Sequence, residues 1–195
     1  FNQIVSVDLV GAFYYARECG RHMLENGSGS IVNIGSILGS GGSENGVIAY
    51  SAAKGGLRNM TLQLGTEWAD RGVRVNAVSP GFIVTEMTRV ALEAMGIDKW
   101  IASRTPMRRV GESQEVTNAV MFLASDLASY ITGVDLLVDG GTNAINGSFQ
   151  IPPIHHEWNV DTPMIPTSYE PVQPRPDWYQ ALEAGVPGVH YPLPE

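Results

Sequence analysis

Cysteine occurs once, at Cys19, lysine only twice, at Lys54 and Lys99, and charged residues make up 16 % of the 195-residue chain. A single cysteine rules out an internal disulfide framework and a cysteine-based zinc site, and it suits a reducing compartment. No apolar run approaches the ~20 residues that span a bilayer, and no signal-peptide pattern opens the chain. The expectation is a cytoplasmic protein with no membrane partner. Twelve basic residues stand against twenty acidic ones, a net charge of −8. No nucleic-acid partner is expected either, because displacing counterions from phosphate needs clustered Lys and Arg. The densest basic spot, Arg104 with Arg108 and Arg109, has acids close by and reads as a solvated loop. What remains is a 44 % apolar chain of about one domain's length, globular in composition.

Proline is almost missing from residues 1–144, where only Pro80 and Pro106 occur, while residues 145–195 hold ten. The first zone has eleven basic and fourteen acidic residues; the second has one and six, with three of the four histidines. Proline removes a backbone donor and fixes φ, so residues 145–195 should form an extended, proline-rich C-terminal arm. One helical turn is expected at 177–184, with Asp177 as its cap and Gly185 as its stop. The run His155-His156-Glu157 reads as a solvated turn, since neighbours in such an arm rarely converge on one metal ion.

Within residues 1–144 the apolar period alternates. Ile4, Val7, Val10, Phe13 and Tyr14 predict a helix over 4–24, closed by Asn26-Gly27. Residues 30–34 read as a strand, and 35–46 as a glycine-rich stretch too flexible for regular structure. A second helix is expected over 50–70 and a second strand over 73–78, closed by Ser79-Pro80-Gly81. One or two helices over 87–103, broken near Gly96, come next. Ser113 is expected to cap a helix over 113–125, with Glu115 near the positive end of its dipole. A last strand spans 134–138. Strands separated by helices run parallel with right-handed crossovers, so the fold class is α/β.

The sharpest chemical pair is Tyr50 with Lys54. Four residues apart on a helix share a face, so a phenol and an ammonium can share a site. A phenol ordinarily titrates at ~10, and a nearby cation favours the phenolate, which makes a usable general acid and base. Spacing alone favours a surface lysine one turn from a half-buried tyrosine; the surrounding segments are what point to a site. Ser36 lies just past the carboxyl end of the first strand, where open parallel sheets place ligands. It is either a turn serine or a donor to a substrate oxygen.

Together, these segments resemble the short-chain dehydrogenase/reductase family from about Ser6 to Asn143. The likeness rests on Ile31-Val32-Asn33-Ile34-Gly35-Ser36, on Tyr50-Ser51-Ala52-Ala53-Lys54, and on the run from Val73 through Ser79-Pro80-Gly81. Thr85-Glu86-Met87 and Ile131-Thr132-Gly133, closing on Val138-Asp139-Gly140-Gly141, also match. The resemblance implies the C-terminal part of a doubly wound, Rossmann-like parallel-sheet domain. It further implies NAD or NADP as cofactor and a small-molecule secondary alcohol or ketone as substrate. Ser36 would polarise the carbonyl, Tyr50 would deliver the proton, and Lys54 would lower the tyrosine's pKa and hold the nicotinamide ribose. Pro80, Gly81, Ile83 and Thr85 would wall the nicotinamide, and residues 87–103 would form a substrate lid. A homodimer or homotetramer is implied, with helices 4–24 and 50–70 at one interface. Trp158, Tyr169, Trp178 and Tyr179 of the arm would pack on a neighbouring subunit or near the lid.

Two departures from the family stand out. Where members carry an asparagine that holds a water beside the lysine, largely through its backbone carbonyl, this chain has Asp8. Asp8 is either that residue with an altered relay or a plain polar helix residue. The glycine-rich turn that binds pyrophosphate should precede everything here, and the glycines at 35–46 come too late to be it. The expectation is a piece of a longer polypeptide, or a truncated product that binds cofactor poorly. A non-catalytic remnant that pairs with intact relatives is the rival reading. An epimerase or dehydratase using the same Tyr and Lys fits the short lid and the Asp139-Gly140-Gly141 ending less well.

Overall fold

The computed structural model describes residues 1–43, 46–86, 88–89, 92 and 97–144. The expected arm at 145–195, with its helical turn, its His155-His156-Glu157 run and its aromatic residues, lies outside them. So do Met87 and the break near Gly96. The chain divides into two units, Phe1–Ser148 and Phe149–Glu195, and all described residues belong to the first.

The first helical stretch comprises α1 (Asn2–Val5), a π-helical segment (Ser6–Gly11) and α2 (Ala12–Asn26). Its apolar spacing predicted one regular helix. The π segment instead inserts a wider turn around Asp8, which the average period of the sequence does not encode. Gly27 ends α2 at φ 67°, the left-handed cap that Asn26-Gly27 signalled. Next come β1 (Gly29–Ile34), α3 (Ile48–Glu67), β2 (Val73–Pro80) and β3 (Ile83–Val84). They are followed by α4 (Ile97–Arg104), β4 (Gly111–Glu112), α5 (Ser113–Ala124) and β5 (Asp135–Val138).

Strands β1, β2 and β5 form a parallel sheet in that order, with Gly29 opposite Val73 and Ala77 opposite Asp135. The three expected strands therefore pair as an α/β sheet, and β1 is an edge whose outer side meets no strand among the described residues. β2 is central and carries the core on both faces. Val73 and Val75 pack with Ala16 of α2 and Leu64 of α3 on one side. Val78 packs with Leu123 and Ala128 on the other, beside Val32 and Leu136. Strict alternation along β2 thus divides its side chains between the α2–α3 layer and α5.

Asn76 and Arg74 of β2 commit their polar groups to backbone partners. Asn76, fully buried, donates to the Ile131 carbonyl at 2.9 Å and accepts from the Val134 amide at 3.1 Å. The Arg74 guanidinium donates to the carbonyls of Leu123 at 2.7 Å and Ser125 at 3.0 Å, closing the open C-terminal end of α5. Asp135, with a side chain 6 % exposed, meets Arg58 of α3 at 3.2 Å. Among the described residues no helix is long and apolar enough to cross a membrane, and no cluster of His, Cys, Asp and Glu fits a metal ion.

Several local expectations are corrected. Glu112, not Ser113, caps α5 through a capping box with Glu115, and the Ser113 hydroxyl instead donates to the Val84 carbonyl at 3.0 Å. A carboxylate satisfies the same orphan amides as a serine would. Residues 35–46 are not wholly irregular, because Ile37–Gly39 forms a 3-10 turn. The three arginines are not merely solvated. Arg104 stacks on Trp100 with its guanidinium 4.5 Å from the ring centre, Arg108 donates to the Ser103 carbonyl, and Arg109 grips Glu115 at 2.7 and 2.6 Å. β3 and β4 pair as a separate two-stranded parallel sheet, too short to leave a period in the sequence.

The packing and the Arg109–Glu115 pair can each be tested. A Cβ at Gly65 would lie 2.6 Å from the Gly133 amide nitrogen and 2.8 Å from the Val75 carbonyl oxygen, both backbone. Gly65→Ala should therefore lose about 1–3 kcal/mol in urea unfolding; an unchanged midpoint would mean that α3 is free to lift off the sheet. Hydrogen bonds from Arg109 and then from the Glu112 amide hold the Glu115 carboxyl at about 2 instead of 4.5. A lowered folded-state pKa stabilises above the ordinary carboxylate value, and that stability is lost as pH falls from 4.5 towards 2. The melting temperature of the parent should fall more steeply over this window than that of Glu115→Gln, and parallel curves would contradict it.

Candidate active site

β1 ends at Ile34, and Gly35 keeps the chain close to β2 for one residue more. The Gly35 amide donates to the Val78 carbonyl at 2.8 Å. A Cβ on Gly35 would collide with the hydroxyl oxygen of buried Ser79, so a side chain here would need Ser79 or the chain to shift. Ser36 then caps the Ile37–Gly39 turn, accepting the Leu38 amide at 3.2 Å while remaining 8 % exposed. A hydroxyl that accepts from the backbone still has its own proton to give.

Tyr50 and Lys54 lie in the first half of α3, on the shared face that their spacing predicted. The Lys54 ammonium is 5.6 Å from the centre of the Tyr50 ring and donates to the Ile34 carbonyl at 3.0 Å. This bond joins the lysine to the strand end that carries Ser36. Gly39 tightens the join, since a Cβ there would lie 2.8 Å from the Lys54 carbonyl oxygen. On its other side α3 meets the π segment: a Cβ at Gly56 would lie 2.7 Å from the Leu9 side chain. Half-buried Asp8 is thus carried on a segment packed against α3 two residues past Lys54.

The second group of expected residues sits at the end of β2. Pro80 is its last residue, and Gly81 donates to the Val138 carbonyl at 3.0 Å while approaching Asp139 too closely for a side chain. Ile83 belongs to β3. Thr85 is held by a residue that sequence reasoning missed: the Thr88 hydroxyl accepts the Thr85 amide at 2.8 Å, lies 3.0 Å from the Thr85 hydroxyl and donates to the Ile83 carbonyl at 2.9 Å. A threonine three residues after Thr85 was the available signal. Among the described residues no hydrogen bond joins this group to Ser36, Tyr50 or Lys54; both groups share the carboxyl end of the sheet. A cavity of about 290 Å³ lies beside Ile83, lined also by Thr105, Met107, Arg109 and Asp139. It does not reach Ser36, Tyr50 or Lys54, so it is no guide to where their chemistry would take place.

Residues 1–143 match the family model described as enoyl-(acyl carrier protein) reductase. The galactitol 2-dehydrogenase (L-tagatose-forming) of Cereibacter sphaeroides is 43 % identical over 142 residues, covering 72 % of this chain and 56 % of that protein. The chain belongs to the short-chain dehydrogenase/reductase family. Another member, the 3-oxoacyl-[acyl-carrier-protein] reductase FabG of Escherichia coli (strain K12), is 42 % identical over 141 residues, covering 72 % of this chain and 57 % of its own. The solved structure of a gluconate 5-dehydrogenase from Burkholderia cenocepacia J2315, in complex with NADP and tartrate, aligns with a TM-score of 0.67 at 34 % identity. The alignment covers 71 % of this chain and 54 % of that one. The chain spans a little over half the length of the curated relatives it matches.

The contact between Gly39 and Lys54 gives a direct test of how the loop after β1 is held on α3. In Gly39→Ala a methyl group would press on the α3 backbone, which has no flexible end to yield. The substitution should cost about 1–3 kcal/mol of stability in urea unfolding. A neutral result would mean that the serine loop and α3 are not locked together.

Proposed function

We propose that the chain carries the alcohol/ketone-handling residues of an NAD(P)-dependent oxidoreductase that interconverts a secondary alcohol and a ketone. The observation that carries this reading is the Lys54 ammonium placed between the Tyr50 ring and the end of the strand that leads to Ser36. Ser36 donates its hydroxyl proton to the substrate oxygen and so polarises the carbonyl. Tyr50 gives its phenolic proton to that oxygen as negative charge develops, and takes it back in the alcohol-to-ketone direction. Lys54 sets its positive charge beside Tyr50, with the ammonium 5.6 Å from the ring centre. Asp8, through the backbone of the π segment, holds a water that relays protons to Lys54.

The residues present fit the nicotinamide end of such a cofactor. Lys54 uses one of its three ammonium protons on Ile34, which leaves donors for ribose hydroxyls. Pro80, Gly81, Ile83 and Thr85 supply a wall at the carboxyl ends of the strands, the ligand side of an open parallel sheet. The glycine-rich loop between β1 and α3 carries Ser36 and packs on the Lys54 backbone, so this reading does not assign it to the pyrophosphate. When bound, NAD(P) supplies or accepts the hydride. A homodimer or homotetramer belongs to the same reading, with the first helical stretch, on which Val7 and Tyr15 are exposed, at the interface.

Fluorescence titration with NADH and NADPH, followed by turnover of Tyr50→Phe in the whole polypeptide, tests the reading. Tyr50→Phe should lose about 10²–10⁴-fold in kcat while keeping cofactor affinity. Turnover that survives the substitution removes Tyr50 from the chemistry. A polypeptide that binds neither nucleotide supports instead a non-catalytic partner of intact relatives.

A further inference from the structure

The glycine-rich loop after β1 is costly to order. Gly39, Gly41 and Gly42 give it more backbone freedom to lose on ordering than other residues would. Yet this loop begins with Ser36, whose hydroxyl must point one way to act. One side of the loop is fixed by α3, through Lys54 and the close approach of Gly39. The other side is fixed by the turn after β5, a segment with no assigned role in the site.

Asp139 organises that turn. Its two carboxylate oxygens accept the amides of Gly141 at 2.9 Å and Asn143 at 2.7 Å. The Asn143 side-chain amide then donates to the Ser40 hydroxyl at 2.9 Å, across 103 residues of sequence. Ser40 in turn donates to the Ile37 carbonyl at 3.2 Å, inside the turn that Ser36 caps. The side-chain carbonyl oxygen of Asn143 would lie 3.4 Å from a Cβ on Gly41, so the asparagine covers the loop as well as bonding to it. On its other flank the same turn touches the segment after α4: the Met107 amide donates to the Gly140 carbonyl at 3.2 Å.

We propose that Asn143 is a positioning residue, clipping Ser40 so that the Ser36 hydroxyl is held in place opposite Tyr50 and Lys54. Asn143 acts through Ser40 and the Ile37–Gly39 turn and touches no reacting atom. This inference rests on the reading of Ser36 as the group that orients the carbonyl.

Hydrogen exchange of the Leu38, Gly39 and Ser40 amides in the 195-residue chain decides it, because all three amides bond within the Ser36 turn. Asn143→Ala and Ser40→Ala should each speed exchange of these amides by about tenfold, leave Val75 and Val78 of β2 unchanged, and produce no further effect when combined. Ser40→Thr, which keeps the hydroxyl, should exchange like the parent. Unchanged exchange in Asn143→Ala overturns the inference. So does an equal acceleration of β2, which would make Asn143 a general stabiliser, or an additive double variant, which would make the two residues independent. In turnover of the whole polypeptide, Asn143→Ala should raise the ketone KM about fivefold or more, with the nicotinamide-nucleotide KM unchanged. Equal rises in both also count against it. Absence of turnover in the parent polypeptide speaks against the proposed function alone, because the exchange measurement still decides the role of Asn143.

Discussion

The hydrogen bond from the Lys54 ammonium to the Ile34 carbonyl, at 3.0 Å, ties α3 to the end of β1, and the close backbone contacts around it depend on the same approach. It crosses from a helix to the last residue of an edge strand and so fixes the relation between Tyr50 and Ser36. Its energy alone is not decisive. A bond to a charged donor contributes about 1.5–3 kcal/mol, and ordering a lysine side chain costs up to about 2 kcal/mol. The second offsets part of the first. What makes the geometry definite is backbone against backbone: Gly39 on the Lys54 carbonyl, and Gly65 on Gly133 further along the same helix. Backbone contacts of this kind have no rotamers to lose.

The sheet supplies the frame for that contact. β2 buries side chains on both faces, so α2 and α3 are held on one side and α5 on the other by a single strand. Arg74 and Asn76, on the α5 face, spend their polar groups on carbonyls and amides at the ends of neighbouring elements. They stabilise the junctions between elements, where the backbone would otherwise be left unpaired. Asp135 is the costlier case, a carboxylate buried beside Arg58 with its second oxygen unpartnered among the described residues. Only the carboxylate is buried, the Arg58 side chain being half exposed, and such a pair is weak support for stability.

Much of the architecture was legible in residue pattern. Short apolar runs gave the three parallel strands, Asn26-Gly27 marked the end of α2, and the four-residue spacing of Tyr50 and Lys54 put them on one helical face. Those features are local, set by side-chain period and by backbone preference within a few residues. Other features escaped for identifiable reasons. The π segment around Asp8 changes the turn without changing the composition. The β3–β4 pair is two residues long on each side, below any period. The cap of α5 passed to Glu112 because either an acid or a serine can accept those amides, and only the direction of approach decides between them.

Residue order was enough to specify the α/β class, the three strands of the main sheet with the helices between them, and Ser36, Tyr50 and Lys54 as candidate residues. How those types are held emerged only in three dimensions: Lys54 on Ile34, Thr88 on Thr85, and Asn143 on Ser40. Period and propensity act over a few residues, whereas a hydrogen bond between positions 40 and 143 exists only once the ends of β1 and β5 have been brought together by the strand between them.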